Sequence, residues 1–154
     1  VETLVKGGAE GLMNFLPAIV FLVGCLMAFA TGTSWGTFGI LIPIVTDAFA
    51  ATDPQLMIIA ISACMAGAVC GDHCSPISDT TIMSSAGAQC EHVNHVSTQI
   101  PYAVLAAAVS FVSYLIAGFV KTAWIALPAA VLLMILTLVV LRATGLAVST
   151  SAEK

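Results

Sequence analysis

The chain has 154 residues and a formal net charge of −4; 60% of its residues are hydrophobic and only 8% are charged. With a mean hydropathy of +1.08, it lacks the polar surface that keeps a soluble domain in solution. Its four basic residues form no run, which excludes nucleic acid as a phosphate-binding partner.

The first apolar block covers 15–50 and is interrupted by Thr31-Gly32-Thr33-Ser34-Trp35-Gly36-Thr37. As one straight helix it would be about 54 Å long, against a hydrocarbon core of about 30 Å. Cut at the interruption, each half is short for a full span. The expected solution is a re-entrant hairpin, or a helix that unwinds and resumes. Asp53-Pro54 reads as a tight turn. The second block, 55–88, is interrupted by Gly71-Asp72-His73-Cys74-Ser75-Pro76-Ile77-Ser78-Asp79. Its first half, ending at Cys70, is too short to cross alone, and 80–88 completes the crossing after an unwound stretch. The expectation is a broken transmembrane helix.

Residues 90–98, with Glu91, His92, Asn94 and His95, read as a polar loop at one surface. Blocks 100–120 and 123–141 are each about one hydrocarbon thickness long and read as full spans. Small residues such as Ala106, Ala107, Ser110, Ala117 and Gly118 suit close packing of the third block. The fourth, rich in Leu, Val and Ile, reads as lipid-facing, and the tail from Ala143 reads as frayed. If the first block returns to its own side, Lys6 and Lys121 share one face and Arg142 and Lys154 the other. The positive-inside rule then leaves orientation open.

Apolar character recurs along the whole chain, unlike that of a secretory signal. The fold class expected is therefore all-α, a polytopic membrane bundle with a hairpin and a broken helix. The expected location is the cell (plasma) membrane, multi-pass, with the lipid bilayer as a partner. Five cysteines, at 25, 64, 70, 74 and 90, form no regular disulfide framework. The chain opens on Val1 rather than Met, and 1–154 reads as a single transmembrane domain, a piece of a longer protein.

Asp72 and Asp79 carry the strongest chemical signal. A carboxylate at membrane depth costs several kcal/mol, and such groups mark ion pathways or proton relays. The two lie seven residues apart in sequence, with His73 between them as a candidate proton relay and hydroxyls at Ser75, Ser78, Thr80 and Thr81. Na⁺ is a hard cation that takes oxygen ligands. Burial favours the protonated carboxyl, and a bound cation favours the charged one. A proton and Na⁺ can therefore compete for the same oxygens, which is the simplest basis for antiport. Thr31, Thr33 and Ser34 in the first break offer further neutral oxygens. Trp35 reads as a cavity wall or an interface anchor.

The bland alternative is an interfacial loop in a membrane scaffold that transports nothing. Asp72, His73, Cys74, Cys90, His92 and His95 include Zn²⁺ ligand types, but not in a paired-ligand spacing. No nucleophile elbow or phosphate loop marks an enzyme. No catalytic residue, cofactor or structural transition metal is expected.

The stretch from Gly71 to Thr81, then Ser84-Ser85-Ala86-Gly87-Ala88 and His92-Val93-Asn94-His95-Val96-Ser97-Thr98-Gln99-Ile100-Pro101-Tyr102, resembles the NhaC-type Na⁺/H⁺ antiporter family. So does Ala30-Thr31-Gly32-Thr33-Ser34-Trp35-Gly36-Thr37-Phe38-Gly39. The resemblance implies an ion-transporter superfamily member and a secondary transporter exchanging Na⁺ for H⁺. It implies inverted repeats, each with a re-entrant hairpin and a broken helix, of which this chain is one, the C-terminal portion of the transporter. The site residues it points to are Asp72, Asp79, Ser75, Ser78, Thr80, Thr31, Thr33 and Ser34, with Na⁺ at the two carboxylates and with Na⁺ and H⁺ as cargo. An N-terminal half of the same transporter, and a second copy in a homodimer, are the protein partners the reading allows. Coupled exchange of an organic anion of the malate/lactate kind is the alternative function.

Overall fold

In the computed structural model, which describes residues 11–49 and 53–144, every regular element is a helix. They are α1 (Leu16–Thr31), α2 (Ser34–Phe49), α3 (Pro54–Cys74), α4 (Asp79–Gly87), α5 (His92–Val120) and α6 (Ala123–Ala143). The expected frayed tail and the basic residues Lys6 and Lys154 lie outside the described residues.

The first break is short because one residue makes it. Gly32 sits in the left-handed region (φ 68°), and its N–H bonds Ala28 O to end α1. Thr33 Oγ1 then accepts from the Gly36 N–H at 3.3 Å and starts α2. The end of α2, Val45 and Phe49, packs with Leu56 and Ala60 at the start of α3 and against Leu16 and Val20 at the start of α1. α1 and α2 therefore form a hairpin that returns to its own end. With the turn from Gly11, the first limb is 21 residues long and apolar enough to cross a membrane, whereas α2 has 16. The first limb is thus longer than its block suggested.

α3 starts on Asp53, whose carboxylate accepts from the N–H groups of Gln55 and Leu56, with Pro54 in the first turn. It runs to Cys74, 21 residues or about 31 Å. This corrects the expectation that the first half of the second block is too short to cross. Asp72 and His73 lie in the last turn of α3, and only residues 75–78 are unwound. The break falls where Pro76 forces it, since proline lacks an N–H and disfavours a helical residue before it. Gly71 does not break the helix; it is a packing position. A Cβ on Gly67 would overlap Phe21 O, one on Gly71 would overlap Cys25 O, and Gly24 lies against Cys64 O. The spacing Gly67-x-x-x-Gly71 lets α1 and α3 run parallel with their backbones in close approach.

A second correction concerns 90–98. Only residues 88–91 separate α4 from α5, and His92 to Gln99 form the first two turns of a 29-residue helix. Their polarity reflects a helix longer than the hydrocarbon core, not a loop. α5 runs antiparallel to α3: Gln99 meets His73, Tyr114 meets Ser62, and Lys121 meets Asp53. A Cβ on Gly118 would overlap Asn14 O, so the small residues near the end of α5 do seat it against the chain ahead of α1. α6 packs along α5 with no buried residue, in keeping with a lipid-facing helix. Trp35 is 82% exposed.

Candidate ion-binding site

Because α1 and α3 run parallel, their broken ends lie at one level. Ser75 Oγ donates to Phe29 O at 2.8 Å, tying the second break to the last turns of α1. A Cβ on Gly32 would meet Ile77 Cγ1 at 2.9 Å, so the first break needs glycine both for its backbone angle and for its contact with the second. Ser75 and Ser78 are fully buried.

Asp72 lies beside this junction and is 5% exposed. Its Oδ1 accepts from Ser78 Oγ at 2.6 Å, a short bond. Ser78 has one proton and gives it to Asp72. In the 2.7 Å pair between Ser78 Oγ and Thr80 Oγ1, Thr80 must therefore be the donor. Ser78 also caps α4 by accepting from the Thr80 N–H at 3.2 Å. A directed chain thus leads from Thr80, which is exposed, through Ser78 to the buried carboxylate. The one ion pair among the described residues, Lys121 Nζ to Asp53 Oδ2 at 2.9 Å, is at the far end of α3. There the Lys121 ammonium, with the Gln55 N–H behind it, holds the Asp53 carboxyl below the usual aspartate range.

The profile of the Na⁺/H⁺ antiporter family matches residues 1–119. The chain belongs to the Na⁺/H⁺ antiporter family. It is 54% identical over 119 residues to an uncharacterized protein of Haemophilus influenzae, covering 77% of this chain and 22% of that one. It is 34% identical over 123 residues to an uncharacterized Na⁺/H⁺ antiporter of the same organism, covering 71% of this chain and 26% of the relative. It is 29% identical over 120 residues to a malate-2H⁺/Na⁺-lactate antiporter of Bacillus subtilis, covering 77% and 25%. The chain spans about a quarter of the length of these relatives. No solved structure matches it. Family and helices together make this antiporter-family chain a multi-pass membrane protein of the cell membrane.

The other residues singled out by sequence fall into distinct environments. Asp79 opens α4 and is exposed, where its charge favours the helix N-terminus. Thr31 Oγ1 donates back to Met27 O at 2.8 Å and is exposed. Thr33 caps α2, and Thr37 Oγ1 donates to Thr33 O at 2.9 Å. Ser34 is buried at the α2 N-terminus. His73 Nδ1 pairs with Val69 O at 2.9 Å; a carbonyl only accepts, so Nδ1 carries the proton. Asp72, Ser78 and Thr80 thus form one side-chain cluster, joined to Ser75 by backbone bonds, with the first break packed against the second through Gly32 and Ile77 and with Asp79 exposed beside it.

Two contributors escaped the sequence reading. Gln99 Nε2 donates to His73 O at 2.7 Å, and Thr81 Oγ1 reaches the same carbonyl at 3.3 Å, so α5 and α4 jointly close the end of α3. His92 Nε2 donates to Pro76 O at 2.7 Å, and its Nδ1 lies 3.1 Å from Ser85 Oγ. This supports the unwound carbonyl that Pro76 leaves free. The signal for both was the spacing of His92, His95 and Gln99, which is helical and puts them on one face.

Proposed function

We propose that this chain forms one half of the ion site of a secondary transporter that exchanges Na⁺ for H⁺, and that it is not an enzyme. The observation that carries the reading is Asp72: a buried carboxylate whose partner is a serine hydroxyl and which no Lys or Arg neutralises among the described residues. A buried negative charge without a counter-cation is costly, and either Na⁺ or a proton removes that cost. The two species compete for one group, so one leaves as the other arrives. Ser78, bonded to Asp72, and Thr80, bonded to Ser78, supply neutral oxygens. Ser75, Thr31, Thr33 and Ser34 are held at the same level, and Asp79 supplies a second negative charge at the mouth. His73, with Nδ1 held on Val69 O and Nε2 left as an acceptor, is the proposed proton relay. On this reading α1 and α2 are a re-entrant hairpin, the bilayer surrounds the bundle, and a preceding repeat of the same transporter, with or without a second copy, completes the site.

The test is Na⁺-driven proton flux in vesicles holding the full-length transporter. Asp72→Asn keeps the shape and an acceptor for Ser78 but removes the charge, and flux should fall to background. Undiminished exchange in both Asp72→Asn and Asp79→Asn would eliminate the assignment.

The likeness to the malate-2H⁺/Na⁺-lactate antiporter supports a second reading, in which an organic anion is co-exchanged. The α2 N-terminus, with Thr33, Ser34 and Thr37, is the place for a carboxylate. Flux that requires added malate or lactate would favour this reading over pure cation exchange.

A further inference from the structure

Two cavities of opposite character flank the end of α3. One, of about 530 Å³, is walled mainly by apolar side chains such as Phe21, Met65, Val69 and Ala106. The other, of about 140 Å³, lies between the end of α3, α4 and the start of α5. Its walls are His73, Thr80, Thr81, Ser84, His95 and Gln99, each of which carries a polar group. A water takes up roughly 30 Å³ in the liquid, so the smaller cavity has room for a few waters or one partly hydrated cation.

The proton count of its walls decides what it attracts. Thr80 spends its hydroxyl proton on Ser78, Thr81 on His73 O, and Ser84 on Thr80 O at 2.7 Å. Each hydroxyl therefore turns lone pairs, not hydrogens, to any further neighbour. Gln99 differs in having two amide protons, of which one is spent on His73 O. Its Nε2 is fixed by donating to His73 O, which leaves the carbonyl oxygen Oε1 as the other end of the amide. That oxygen is buried and has no hydrogen-bond partner. An unmet buried acceptor costs free energy until a donor or a cation reaches it. Turning Oε1 toward the cavity gives up the bond from Nε2 to His73 O, a carbonyl that Thr81 Oγ1 still serves at 3.3 Å.

We infer that this pocket, with three hydroxyls that have already spent their protons in its walls, is the hydrated port through which a monovalent hard cation such as Na⁺ reaches Asp72, with Gln99 Oε1 replacing a water of its shell on the way. From the pocket wall the hydroxyls lead on to the carboxylate: Thr80 Oγ1 lies 2.7 Å from Ser78 Oγ, and Ser78 Oγ lies 2.6 Å from Asp72 Oδ1. The inference rests on the exchange reading above and adds Gln99 and Ser84 to it.

The test separates the two ends of the amide. Gln99→Lys keeps a donor for His73 O, removes the acceptor and adds positive charge. Gln99→Glu keeps acceptor oxygens and loses the donor. Na⁺-driven proton flux of the full-length transporter is read over a range of Na⁺. In Gln99→Lys the KM for Na⁺ should rise at least about tenfold, with the maximal rate within about threefold of the parent. In Gln99→Glu it should stay at or below the parental value. Ser84→Lys, on the α4 wall, should reproduce the rise and carries the test if Gln99→Lys fails to accumulate in the membrane. The reverse order, with Gln99→Lys near the parent and Gln99→Glu impaired, would reduce Gln99 to an anchor for α3 and overturn the port. An unchanged KM in the lysine variants overturns it equally. Absence of Na⁺-driven flux in the unmodified protein is a different result: it removes the exchange reading, and the port with it.

Discussion

Replacing Gly71 by Ala tests whether the parallel contact of α1 and α3 holds the site together. A Cβ at 71 has no free direction, because it would overlap Cys25 O and crowd Phe29 N, and both are backbone atoms that cannot swing aside. The helices must separate by on the order of 1 Å, and a gap of that size forfeits a quarter to a half of each dispersion contact it opens. Overpacking of this kind costs about 1–3 kcal/mol. The separation falls next to the bond from Ser75 Oγ to Phe29 O, whose loss adds about 1 kcal/mol. Gly39→Ala is the control: a Cβ there meets nothing within 4 Å, and Gly to Ala within a helix gains about 0.5–1 kcal/mol. Cys64, fully buried in this interface, is a convenient reporter. In detergent, a thiol-reactive dye should label it at lower temperature in Gly71→Ala than in the parent, and no earlier in Gly39→Ala. Labelling curves that coincide for Gly71→Ala and the parent, with full transport, would refute the close-packing argument.

Ser78→Ala removes both the α4 cap and the donor to Asp72; the cap alone should cost about 1 kcal/mol of stability, and Na⁺ affinity should weaken because the carboxylate is no longer held, as a Na⁺ titration of flux will show. At the other end of α3, Asp53 has a depressed carboxyl, chiefly through the hydrogen bond from Lys121. Its contribution to stability is therefore present above the ordinary aspartate pKa and is lost as pH falls through the lowered folded value. Lys121→Met should move the Asp53 titration, followed by carboxyl ¹³C NMR, up toward the ordinary range.

Both breaks were legible in the sequence because local chemistry makes them: Gly32 adopts a left-handed angle and Pro76 cannot donate. The extent of the second break was not, because Gly71 looks like a helix breaker and is in fact a contact with Cys25 O. One residue type serves both purposes, and only the neighbouring helix tells them apart. His92 to Thr98 read as a loop for a similar reason. Polarity marks contact with water or a site, but a helix that outruns the hydrocarbon is polar too.

The two acidic residues look equivalent in sequence, yet burial separates them, and the cause is the length of α3. Continuing the helix through Cys74 places Asp72 on the face turned toward α1, among Ala68, Gly71 and Ser75, all of them buried. Asp79 comes after the unwound residues, at the open N-terminus of α4. Had the helix ended at Cys70, both carboxylates would sit in one loose stretch with similar access to water. The parallel register of α1 and α3 therefore does two things at once. It brings the two breaks to one level, and it assigns burial to one carboxylate and exposure to the other. On the exchange proposal, Asp79 is the outer negative group that meets a hydrated cation and Asp72 the inner one that holds it.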